Sequence, residues 1–229
     1  MALEMALHGV RVRYGPLEAL HGVDLPVPAA AVTLLVGRNG SGRTTVLRAL
    51  AGTVRPAAGT VSWQGRDVTR LRAHERARLG LCLVPDRQAV YGTLTVAGQL
   101  ALAAPDGDIG PALAGYPELR PLLARTAGTL SGGEQRMVAV SRALLHRDAR
   151  VVLADEPALG MASGAAERTY ALLGALAAAG AAVVLAEQRV PAALAAPGVL
   201  VHVLRRGAVV FSGEAVESAA APLRPPWRG

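Results

Sequence analysis

The run Gly37-Arg38-Asn39-Gly40-Ser41-Gly42-Arg43-Thr44 fits the phosphate-binding pattern G-x-x-x-x-G-K-[ST] at every position but one. Such a loop works through its backbone. N–H groups must wrap phosphate oxygens closely, which favours glycine, and the following helix points its positive end at them. Thr44 is placed to offer its hydroxyl to Mg²⁺, with Thr45 next to it at the helix start. A continuous apolar run before the loop, Ala31 to Val36, and a helical stretch after it, Thr45 to Ala51, argue against an idle glycine-rich turn. The exception is Arg43, which stands where the pattern has lysine. Lysine meets the β- and γ-phosphates as a compact point charge, whereas arginine is longer, planar and forked. Two explanations stay open. Arginine is a compensated drift, as all 24 basic residues are arginine, or the site binds nucleotide and turns it over slowly.

Val151 to Ala154 is an apolar run that ends in Asp155-Glu156, about 110 residues after the loop. Asp155 would orient a metal through its water shell, and Glu156 would polarise an attacking water. Leu130-Ser131-Gly132-Gly133-Glu134-Gln135 adds a second phosphate-binding terminus about 25 residues before these acids. Ser131 can cap a helix that starts with the glycines, leaving N–H groups and the helix dipole free for an anion. That has little purpose in an enzyme working alone. In a head-to-tail dimer, Ser131, Gly132, Gly133 and Glu134 would close on the γ-phosphate held by the other subunit. With this hexapeptide the chain resembles the ABC ATPases, and the resemblance covers nearly all of it.

The resemblance assigns further positions. Tyr14 fits the aromatic that stacks on adenine; a plain β-strand aromatic is the alternative. In Val84-Pro85-Asp86 an acid takes the place of the usual Q-loop glutamine, which puts Asp86 among the catalytic and metal-side residues. Ala186-Glu187-Gln188 puts Gln188 at the switch position, where histidine is usual. Acid and glutamine together are similar to one of the two ATPase subunits of branched-chain amino-acid transporters and their urea and amide relatives. His74 to Gly80, Ala127 to Thr129 and Leu159 to Ala162 are similar to that subgroup too. Arg43, aspartate at 86, Ser163 in place of proline and a short helical lobe depart from it.

What the resemblance implies is the ATP-binding subunit of an importer at the cytoplasmic face of the cell membrane, with ATP and Mg²⁺ as cofactors. It implies a second ABC ATPase subunit, transmembrane permease subunits and an extracytoplasmic solute-binding protein as partners. The alternative is a catalytically impaired ATP-binding subunit that supports a partner ATPase. A nucleic-acid ABC ATPase is suggested only by the net charge of +7. Such proteins carry coiled coils, zinc modules or two fused cassettes, which 229 residues do not hold, so no nucleic-acid partner is expected.

The elements that must position these residues follow from periodicity. Leu7 to Tyr14 and Ala19 to Val27 read as neighbouring strands, and Thr60 to Gln64 as a short one. Leu81 to Val84, Val151 to Ala154, Ala182 to Ala186, Val199 to Leu204 and Ala208 to Phe211 read as further strands. Alternation with helical stretches indicates an α/β fold with a largely parallel core sheet. The resemblance makes it a P-loop NTPase core of ABC ATPase type, with an N-terminal antiparallel β subdomain and an inserted helical lobe. The expected boundaries are 1–94 and 148–220 for the core, 95–147 for the lobe and 221–229 for a flexible tail. With only 3% aromatic residues the core must be aliphatic. One cysteine, Cys82, excludes an internal disulfide. No signal peptide is evident at the N-terminus, and the apolar stretch Ala171 to Ala186 is broken at Gly180, so no spanning helix is expected.

Overall fold

The computed structural model describes residues 2–86 and 89–216, so the expected tail at 221–229 lies outside the described residues. Among the described residues ten strands form two sheets. They are β1 (Leu3–Tyr14), β2 (Leu17–Pro28), β3 (Ala31–Val36), β4 (Ala58–Trp63), β5 (Arg66–Asp67), β6 (Leu81–Val84), β7 (Val151–Asp155), β8 (Ala182–Glu187), β9 (Leu200–Arg205) and β10 (Ala208–Glu214). The helices are α1 (Arg43–Ala51), α2 (Ala73–Arg78), α3 (Val96–Ala101), α4 (Gly110–Gly115), α5 (Gly132–Leu145) and α6 (Ser163–Ala178).

An antiparallel sheet has the order β2-β1-β4-β5, and a six-stranded sheet the order β10-β9-β3-β8-β7-β6. In the second, β9, β3, β8, β7 and β6 run parallel and only the β9–β10 pair is antiparallel. Helices cover a parallel sheet on both faces, so its strands must be apolar throughout. β3 and β7 are buried at every position. Side chains alternate across each strand. Val152 and Ala154 join Leu34, Val183 and the helices α3 to α6 on one face. Val151 and Leu153 join Val184, Leu50 of α1 and the antiparallel sheet on the other. Tyr116 and Leu119, between α4 and α5, belong to the first of these clusters with Val84 and Val152, so this segment shares the core on that face of the sheet.

Two boundaries differ from the sequence reading for a physical reason. β1 starts at Leu3, because the buried Glu4 hides the alternation. Its carboxylate accepts from Trp63 Nε1 at 2.7 Å and lies 3.2 Å from Arg150 Nε. α1 starts at Arg43, so Arg43 and Thr44 sit within its first turn. α6 ends at Ala178, two residues before Gly180, whose φ of 111° stops the helix. Among the described residues no helix is long and apolar enough to cross a membrane. Cys82 lies on β6, half-buried, and burial pushes its thiol up to about 11.

Candidate functional site

The strand register brings the chemistry to one edge. Val36 pairs with Glu187 and Asp155 with Ala186, so the carboxyl ends of β3, β7 and β8 lie side by side, and β6 ends one position earlier. The loop at 37–42, Asp86, Asp155, Glu156 and Gln188 leave from those ends, where open α/β sheets bind ligands. All of these except Gly37 line a cavity of about 920 Å³ with Tyr14, Arg43, Thr44 and Thr45.

The loop is held by its backbone. Gly37 N–H donates to the Glu187 carbonyl at 3.1 Å, Ser41 N–H to the Arg38 carbonyl at 3.0 Å, and Gly207 N–H to the Ser41 carbonyl at 2.8 Å. Gly42 has φ 107°, and a Cβ there would meet Leu20 at 2.9 Å, so the turn into α1 requires glycine. The N-terminus of α1 carries no side-chain cap and no acid in its first turn. Its orphan N–H groups and positive dipole end are left for an anion. Three buried polar atoms beside it also lack a partner among the described residues: Ser41 Oγ, Arg43 Nη1 and Asp155 Oδ2.

Arg43 is 6% exposed and turns towards the acids. Its Nη2 donates to Glu156 Oε1 at 3.0 Å, and Gln188 Nε2 donates to the same oxygen at 3.1 Å. Burial raises the Asp155 carboxyl, a hydrogen bond from the Thr44 side chain lowers it, and the Asp86 charge raises it again. An acidic group under such pressure, with one free oxygen, suits a bound cation. Glu187 takes a hydrogen bond from the Tyr170 hydroxyl at 2.7 Å. Burial, reinforced by the Glu156 charge, pushes Glu187 up to about 7 against the lowering by Tyr170 and Arg43.

Tyr14 is 41% exposed and Leu17, its partner across the β1–β2 turn, 66%, which leaves two apolar side chains at the cavity rim. Glu18, His21 and Arg206 line the same cavity, and none of the motifs in the sequence contains them. The signal was the Arg206-Gly207 pair between two strand runs, which forms the β9–β10 turn with φ 48° at Arg206 and reaches the loop through Gly207.

Ser131, Gly132, Gly133 and Glu134 do not line this cavity. Ser131 caps α5, accepting from Glu134 N–H at 3.3 Å, while its own N–H donates to Glu134 Oε2 at 2.7 Å. Ser131 and Gly132 are exposed, so the helix end faces outwards. Gly133 is small for another reason, since a Cβ there would stand 2.8 Å from the Gly160 carbonyl.

Residues 20–159 match the ABC transporter family. The chain belongs to that family. It is 32% identical over 209 residues to the high-affinity branched-chain amino acid transport ATP-binding protein BraG of Pseudomonas aeruginosa, covering 88% of this chain and 89% of that one. It is 39% identical over 151 residues to a probable branched-chain amino acid transport ATP-binding protein, LivF, of Archaeoglobus fulgidus, covering 63% and 64%. A nucleotide-free ATP-binding cassette from an ABC transporter shares the fold, with a TM-score of 0.81, 23% identity and coverage of 97% and 96%. The α/β core with its antiparallel sheet is therefore an ABC ATPase fold, and the chain is an ABC-type ATPase coupled to transport.

Proposed function

We propose that this ABC ATPase subunit binds Mg-ATP in the cavity at the end of the sheet and drives uptake of branched-chain amino acids through a separate permease. One observation carries the nucleotide reading. The glycine loop, the uncapped end of α1, Asp86, Asp155, Glu156 and Gln188 meet in one cavity, while the Ser131 helix end lies outside it. Backbone N–H groups from the loop would hold the β- and γ-phosphates, and Arg43 Nη1 would add a charged donor. Tyr14 would stack on the adenine. The residues fit a divalent cation, because Asp155 keeps a buried oxygen without a partner next to Thr44 and Asp86. Thr44, Asp86 and Asp155 would hold it, and when bound it would neutralise phosphate charge. Glu156 would take the proton of the attacking water, with Gln188 orienting it.

Ser131 to Glu134 would serve the nucleotide of a second ABC ATPase subunit, so the working unit is a dimer at the cytoplasmic face of the membrane. Permease subunits would receive the motion, and an extracytoplasmic binding protein would supply solute. The solute class rests on the names of the similar proteins and on the Asp86 and Gln188 pattern. Impaired hydrolysis draws no support from those relatives.

Melting the chain with and without millimolar Mg-ATP tests the first step. A bound nucleotide raises the midpoint by linkage, and an unmoved curve dismisses the nucleotide reading. Reconstitution with candidate permease subunits tests the solute. Leucine-stimulated hydrolysis is expected, and stimulation by urea or an amide alone would move the chain to that other branch.

A further inference from the structure

Arg136 lies on α5, five residues beyond the capping Ser131. It is a charged side chain with only 6% exposure. Nη1 donates to the carbonyls of Pro85, at 2.6 Å, and of Asp155, at 3.3 Å, and Nη2 donates to the carbonyl of Asp86. These acceptors follow β6 and end β7, so one guanidinium joins the helix that begins at Ser131 to two adjacent strand ends.

Burying a charge costs several kcal/mol, and an apolar residue of similar volume often does as well or better for stability alone. The planar fork does something an apolar side chain cannot, because it fixes carbonyls from two separate chain segments at once. The backbones it grips are those of Asp86 and Asp155. Asp155 carries the unpartnered buried Oδ2, and both acids line the cavity. Side chains that must share one cation have to be held to within about 0.5 Å, and they depend on such support.

We propose that Arg136 is a positioning residue for the metal side of the nucleotide site, holding the Asp86 and Asp155 backbones in register and tying them to the signature helix. This rests on reading the cavity as a Mg-nucleotide site. It also makes the lobe and the metal acids one mechanical unit. A displacement of the Ser131 end of α5 reaches both carbonyls through a single side chain.

Calorimetry of ATP binding to the full chain, in EDTA and in excess Mg²⁺, tests the assignment without hydrolysis. The wild type is expected to bind ATP more tightly with Mg²⁺. Arg136→Met is expected to leave the EDTA affinity little changed and to cut the gain from Mg²⁺ by roughly tenfold, the usual loss when a ligand's outer support is removed. Arg136→Lys keeps the charge and some of the donors, so it should recover part of that gain. A full gain in Arg136→Met overturns the proposal. So does an equal loss in both conditions, which would mark a merely structural residue, and so does a wild type that gains nothing from Mg²⁺. If Arg136→Met does not fold, Arg136→Lys decides. An ammonium cannot span the three carbonyls, so a partial gain is expected and a full one overturns the assignment. A wild type that binds no ATP in either condition brings down the nucleotide reading itself, a different result from tight binding that Arg136 does not influence.

Discussion

The guanidinium of Arg43 holds the carboxylate of Glu156 at 3.0 Å, which joins the first turn of α1 to the residue that follows β7. The two residues expected to act on opposite sides of a γ-phosphate are thus paired with each other. A phosphate carries more charge than a carboxylate and competes for the same fork. Arrival of ATP would draw Arg43 away and release Glu156.

Arg43→Lys reads the strength of that pairing. The ammonium is shorter and has no fork, so it holds Glu156 less well while keeping its charge for phosphate. In the assembled transporter, with the partner ATPase made hydrolysis-dead, turnover and the affinity for Mg-ATP are both expected to change little, because phosphate displaces the pairing in either protein. A severalfold rise in the variant would show that the pairing holds hydrolysis back.

Glu156→Gln keeps a side chain of the same shape but cannot accept the water's proton. Hydrolysis should fall by about 100-fold or more, in the range of lost general bases. The ATP-bound dimer should then outlast that of the wild type, which light scattering reads directly. A variant that hydrolyses at a tenth of the wild-type rate or better, on the same scale, would take the base role away from Glu156.

Glu187 gives stability a pH dependence with a definite sign. Its carboxyl is raised to about 7, chiefly by burial, against an ordinary value of 4.5. Between those values the folded chain keeps a proton that the unfolded chain has lost. Stability from this group is therefore complete below about 4.5 and declines as the pH rises towards 7, by an amount on the order of 1–3 kcal/mol. Glu187→Gln should flatten the denaturation midpoint over that window and raise it relative to wild type at pH 8. Parallel pH curves for the two proteins would show that Glu187 titrates normally.

Arg76 secures α1 from its far end. It is fully buried, and its Nη1 donates to the carbonyls of Ala49 and Leu50 at 2.7 Å each while Nη2 donates to that of Val68 at 2.8 Å. Burial lowers it to about 10, still charged at neutral pH. Ala49 and Val68 keep the N–H groups of Gly52 and Leu71 in Arg76→Leu, while the Leu50 carbonyl loses its guanidinium partner, and a loss of about 1–3 kcal/mol is expected in urea denaturation. A loss below about 1 kcal/mol would mean that water replaces the guanidinium.

Arg76 and Arg136 also mark where the sequence stopped being legible. Gly37 to Thr44 announces itself because its role is carried by local backbone, and Asp155 because it ends an apolar run. The two buried arginines serve carbonyls 7 to 51 residues away in sequence. Nothing near them in the chain shows that they are inside. His74 to Gly80 was recognisable as a motif, yet only the structure shows that Arg76 at its centre holds the end of α1. Glu4 misled in the same way, since its partners Trp63 and Arg150 come from distant segments. Short elements such as β5 leave too few residues for any period to show.

The lone thiol on β6 makes this chain a convenient instrument. With its ionisation pushed up to about 11, Cys82 is almost entirely protonated near neutrality and reacts slowly with alkylating probes. A cysteine placed at the exposed Ala101 or Ala114 would then take up a fluorophore or spin label nearly alone. The separation of labels on two copies could be followed in real time as nucleotide is added, with no native thiol to remove beforehand.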